Sequence, residues 1–268
     1  MTPRPVAAPS PLDTQRTPVW FSLEQPRALL ELWQFMMARP ILRLAPRGVG
    51  RPVLVLPGFL SDDHATVNLR HYLSEQGHVI YPWGLGINLG PTEAILDGIE
   101  QRLDQIIALH GERVSLVGVS LGGLFARDLA RRRQDSVRQV ITLGSPFRIA
   151  RDSENSLKAL FDAWSPLHAA PSRFSVWNLP RDPLPVPTTA VYTRSDGIVG
   201  WETCLGGVSA VSENIEVVGS HSGLVHLPTA VYAVADRLAQ PEDSWREFAA
   251  PAALHWLYPP PERGANAA

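Results

Sequence analysis

From Arg51 onward, short apolar runs alternate with longer segments of helical periodicity, and this alternation constrains the fold more than any other feature. The runs PVLVLP, HVIYPW, VSLVG, QVITLG, TAVYT and IEVVG are mostly apolar and rich in β-branched residues, as expected of strands covered on both faces. Between them fall helical stretches near 65–76, 92–110, 121–133 and 228–239. In the second, Ile95, Ile99, Leu103, Ile106 and Ile107 share a face, Thr92 suits an N-cap and Gly111 a terminator. The pattern predicts an α/β fold with a mostly parallel central sheet and helices on both faces.

The chain outside this rhythm divides by composition. Residues 1–18 and 258–268 are proline-rich or small and polar, and are expected to be disordered. Residues 19–48 are expected to form a helical segment packed on the core. The stretch EQPRALLELWQFMMARP would be its helix, with Pro26 in the first turn and Pro40 at the end. Leu29, Leu30, Leu32, Trp33, Phe35, Met36 and Met37 give it a wide apolar surface. Packing on the main domain is the favoured use of that surface, and a weak membrane-surface contact the alternative. The main domain is placed at 49–257. An insertion at about 145–187 interrupts it, far longer than the usual connection of about 2–6 residues. Its Phe147, Trp164, Phe174 and Trp177 read as a lid rather than a linker.

Composition narrows the partners. Hydrophobic residues make up 45% and charged residues 19%, ordinary values for a soluble globular protein. A net charge of −2 argues against nucleic acid, and the run Arg131-Arg132-Arg133 reads as the last turn of a helix. The N-terminus lacks a secretory apolar core, and no run approaches the ~20 apolar residues of a membrane span, so a cytoplasmic location is expected. The single cysteine, Cys204, excludes an internal disulfide and a cysteine-based zinc cluster, and reads as a packing residue. No histidines have metal-ligand spacing, so no metal is expected, and no cofactor is expected either.

Between the third strand and the third of those helices sits Gly118-Val119-Ser120-Leu121-Gly122, with no room for an ordinary loop. A serine hydroxyl is a poor nucleophile unless a base lies within hydrogen-bond reach and a third group orients the base. A sharp strand-to-helix turn projects the serine, and glycines at 118 and 122 relieve the crowding it causes. Behind the fifth strand comes Ser195-Asp196-Gly197, and behind the sixth Ser220-His221-Ser222-Gly223. Ser120, Asp196 and His221 are therefore the candidate nucleophile, orienting acid and base. His226 competes with His221, while Asp182 and Glu202 compete less well with Asp196, since neither directly follows the strand. The oxyanion of an intermediate would take the backbone N–H groups of Leu121 and Phe59, the latter in the loop LPGFL after the first strand.

The segments VLVLPGFL, LVGVSLGGLFARDLA, ITLGSPFR, YTRSDGIV and VVGSHSGLVHLP resemble the successive signatures of α/β-hydrolase-fold serine esterases and lipases, over residues 51–239. Pro57 stands where many relatives have histidine, and Ser145-Pro146 where Thr-Pro is common. The resemblance implies an α/β-hydrolase fold, and the histidine of its GSHxGL motif falls on His221. It implies hydrolysis of small-molecule or lipid esters with apolar groups. An acyltransferase, thioesterase or amidase using the same triad stays open, as does a non-catalytic binding protein on this fold. Epoxide hydrolases and dehalogenases would need a carboxylate at position 120.

Overall fold

The computed structural model describes residues 17–147, 173–174, 182–207, 209–242 and 244–260. Among these residues six strands form one sheet: β1 (Pro52–Leu56), β2 (Val79–Pro82), β3 (Val114–Val119), β4 (Val137–Leu143), β5 (Thr188–Tyr192) and β6 (Ser212–Glu216). Their order is β2-β1-β3-β4-β5-β6, and every pairing is parallel. The helices are α1 (Thr17–Leu42), α2 (Val67–Glu75), α3 (Glu93–His110), α4 (Leu121–Arg132) and α5 (Pro228–Ala239).

Strand alternation sorts the core into two layers. Val53 and Val55 of β1 join one cluster with Leu69 and Leu73 of α2 and Val231 and Val234 of α5. Leu54 and Leu56 join the other, with Leu96, Ile99 and Leu103 of α3 and Leu124 of α4. All five β1 residues are buried, which is why the run PVLVL carries no polar position. Each such aliphatic side chain contributes roughly 1.5–3 kcal/mol by leaving water. The Thr92 hydroxyl accepts from Ile95 N–H at 3.2 Å, and Gly111 ends α3 at φ 65°. On the face of α3, Leu96 is buried, whereas Ile95 and Ile107 only border the core.

The N-terminal helix departs from expectation in two ways. It starts at Thr17 and runs through both Pro26 and Pro40 to Leu42. Each interior proline removes a backbone hydrogen bond and costs ~3 kcal/mol in an isolated helix. Here contacts to the domain offset that cost on both sides: Glu24 and Arg27 flank Pro26, and the Tyr72 hydroxyl donates to Leu42 carbonyl at 2.8 Å beyond Pro40. The wide apolar surface is also not what docks the helix. Leu29, Leu30, Trp33, Met36 and Met37 are exposed, Leu32 is half-buried, and only Phe35 is fully buried, edge-on to the Tyr72 ring.

The expected lid lies mostly outside the described residues. Of its described parts, Phe147, Phe174, Leu184 and Val186 pack into the α3–α4 layer. Cys204 is buried, as a packing residue would be. Among the described residues no helix is long and apolar enough to cross a membrane.

Candidate active site

The site begins with backbone geometry at the end of β3. Ser120 has φ 48° and ψ −118°, a left-handed conformation that L residues rarely adopt. Leu60, in the loop after β1, is the other described non-glycine residue with positive φ. The glycines around Ser120 are required by contact, not flexibility. A Cβ at Gly118 would sit 2.3 Å from Gly123 Cα, and one at Gly122 would sit 2.3 Å from the Leu56 carbonyl oxygen. Both obstacles are backbone, which has nowhere to retreat.

The loops after β5 and β6 bring Asp196 and His221 together. His221 Nδ1 lies 2.6 Å from Asp196 Oδ2. The other carboxylate oxygen accepts N–H from Ile198 and Val199 at 2.8 Å each. Since a carboxylate only accepts, Nδ1 carries the proton and Nε2 keeps its lone pair. Burial pushes the imidazole pKa down, but the Asp196 charge and hydrogen bond, with Glu24 adding, hold it above the usual histidine value.

Ser120 and His221 line one cavity of about 410 Å³, within the range of small-molecule sites. Gly58 and Phe59 form part of its wall, and α1 supplies Leu29 and Leu32. A Cβ at Gly58 would meet Ser120 Cβ at 3.3 Å, so this loop passes in contact with the serine. Leu121 is the first residue of α4, where helix N–H groups lack intrahelical acceptors.

Of the competing residues His226 shares this cavity, and Asp182 and Glu202 do not line it. His226 lines the same cavity, but its buried Nδ1 has no partner, and Asp196 is engaged by His221. His226 does not cap α5, whose N-cap is Leu227 without a side-chain hydrogen bond. His64 is exposed and pairs with Asp62. The Asp182 carbonyl accepts from Arg131, and Glu202 lies in a 3-10 turn, Trp201–Cys204.

Two sets of residues escape the sequence reading. Asn88 is fully buried; its amide donates to the Pro57 carbonyl at 2.9 Å, and its own carbonyl accepts from Leu60 N–H at 2.8 Å. It therefore pins the loop that holds Phe59. On α1, Glu24, Arg27 and Glu31 reach the loops of Asp196 and His221. Their spacing of three and four on one helix face was the only signal available.

No protein-family model matches the sequence, and no curated protein matches it. Solved structures do share its fold. Lipase B of Aspergillus fumigatus aligns at 18% identity and a TM-score of 0.52, over 72% of this chain and 54% of that one, so the chain spans about half of that lipase. The thioesterase domain from the curacin biosynthetic pathway aligns at 18% and 0.50, over 73% and 91% of the two chains. The pyrethroid hydrolase PytH aligns at 16% and 0.51, over 73% and 100%. With six parallel strands, helices on both faces and a sharp turn after β3, the chain has the α/β-hydrolase fold.

Proposed function

We propose that the protein is a serine hydrolase that cleaves carboxylic esters with an apolar acyl or alcohol group through an acyl-enzyme. One observation carries the reading: an imidazole whose Nδ1 is held by a buried carboxylate lines the same cavity as a serine in a strained backbone conformation. Ser120 Oγ attacks the ester carbonyl carbon while His221 Nε2 takes its proton. The carbonyl oxygen becomes an oxyanion facing the N–H groups of Leu121 and Phe59. Donors in such positions are typically worth ~2.7–4 kcal/mol each. The intermediate collapses, the alcohol leaves with the proton from His221, and water repeats the sequence to release the acid. Asp196 stays ionised throughout and stabilises the imidazolium. Leu29, Leu32 and Phe59 on the cavity wall support an apolar substrate group.

Labelling by a fluorophosphonate tests this directly. Wild-type protein reacts and Ser120→Ala does not, and a graded p-nitrophenyl ester series is turned over with the same dependence. A folded wild-type chain that neither labels nor hydrolyses any of the series overturns the reading in favour of a binding protein on this fold.

A further inference from the structure

We infer that Glu24, on the N-terminal helix, is a positioning residue that holds the loops of Asp196 and His221 in register with each other. This rests on the catalytic reading of those two residues given above. Glu24 Oε1 accepts the N–H of Gly197 at 2.8 Å and that of His221 itself at 3.2 Å. Oε2 accepts the N–H of Ser222 at 3.0 Å. One carboxylate thus bridges the residue after the acid, the base, and the residue after the base. These belong to two strands' loops and lie 173 to 198 positions from Glu24 in the chain.

Its neighbours on α1 repeat the arrangement. Arg27 donates to the Ser195 carbonyl at 2.8 Å and to the Ser195 hydroxyl at 2.9 Å. Glu31 accepts the N–H and the hydroxyl of Ser220. The glycines of both loops make room for the helix. A Cβ on Gly197 would sit 2.5 Å from the backbone carbon of Trp20, and one on Gly223 would sit 1.5 Å from Glu31 Oε2. The first loop therefore packs on the helix backbone and the second on the Glu31 carboxylate.

A carboxylate with only 2% of its surface exposed is costly unless it is hydrogen-bonded or paired, and here three N–H groups donate to it while the Arg27 guanidinium lies 3.9 Å from Oε1. If Glu24 served only to dock the helix, its partners could lie anywhere on the domain. Instead all three border the reacting pair, and α1 has separate docking contacts at Phe35 with Tyr72 and at Arg39 with Glu75. The charged groups facing His221 are Asp196 from its loop and Glu24 from α1. Arg27 and Glu31 face the adjoining backbone, and His226 lies on the histidine's own loop.

The test compares Glu24→Gln with Arg39→Met, the latter removing only a docking contact. Turnover, the pH profile of kcat/KM, and the downfield proton resonance of His221 Nδ1–H are measured on the full chain. Glu24→Gln is expected to lower kcat at least tenfold with KM within twofold. It should also move the acid limb to lower pH and shift or broaden the resonance. Arg39→Met lowers the melting temperature and leaves all three as in wild type. Wild-type values of kcat, limb and resonance in folded Glu24→Gln overturn the inference. Should Glu24→Gln not fold, Glu24→Asp decides: it keeps the charge but cannot reach both loops, so a wild-type kcat there overturns the inference equally. If the wild type neither labels nor turns over, the proposed function fails by itself. The resonance then still decides whether Glu24 orders the Asp196–His221 pair.

Discussion

Both oxygens of Asp196 are committed, one to His221 Nδ1 at 2.6 Å and the other to the N–H groups of Ile198 and Val199. The carboxylate is thus fixed by its own loop before it fixes the imidazole. An amide at this position must present an NH₂ group either to two backbone donors or to the histidine. Asp196→Asn is therefore expected to lower kcat by about 10³–10⁴, the scale of a wrongly held tautomer, with the far-UV spectrum unchanged. Steady-state ester hydrolysis measures it, and a loss below about tenfold would remove Asp196 from the proposed triad.

The same pair sets the pH dependence. Burial lowers the His221 pKa, but Asp196 and Glu24 outweigh it, so the folded value stands above 6.5. The proposed hydrolysis needs the neutral imidazole, so kcat/KM is expected to rise with pH through that raised value. The linked stability runs the other way: the contribution is full below the unfolded pKa and is lost as pH rises through the folded one. A pH–rate profile with its acid limb below 6.5 contradicts this.

Asn88 supports the loop that holds Phe59 without touching the cavity. Removing its side chain leaves the Pro57 carbonyl and the Gly90 N–H without their partner. Asn88→Ala should cost about 1–3 kcal/mol of stability. It should also lower kcat up to about 100-fold with little change in KM, as a misplaced oxyanion donor does. Urea melts and steady-state kinetics on one preparation separate the two effects.

His78 is expected to contribute to acid stability far from the site. It is 4% exposed, neither ring nitrogen has a partner, and its ring lies against Gly48. Burial, with Arg138 nearby, pushes its pKa down to about 4. A depressed folded pKa gives stability that is full above 6.5 and falls as pH drops toward 4. The shift corresponds to about 3 kcal/mol at most. His78→Leu should flatten the stability–pH curve in that window by about one proton. Melts between pH 4 and 7 with unchanged slope would show that another group carries the transition.

Much of this molecule is readable along the chain because its determinants are local. The two-residue alternation of β1 sends Val53 and Leu54 to opposite layers, and any pairing of that strand must preserve this. Gly118 and Gly122 sit two positions either side of Ser120 because the turn crowds its own backbone and that of the strand beside it. Asp196 and His221 stand out because each directly follows an apolar run, and parallel strands deliver all such positions to one edge.

The chain by itself thus determined the sheet, the turn and the three side chains carried to its edge. The tertiary structure alone decided what holds them there. Read as a pattern, α1 offers Leu29, Trp33 and Met36 as its docking face. Folded, it turns Glu24, Arg27 and Glu31 inward and leaves those apolar groups exposed. Their main partners are backbone N–H and C=O groups, which every residue possesses and no sequence distinguishes. A carboxylate seeking such donors leaves no mark at the positions it will meet, so only the folded chain reveals the pairing.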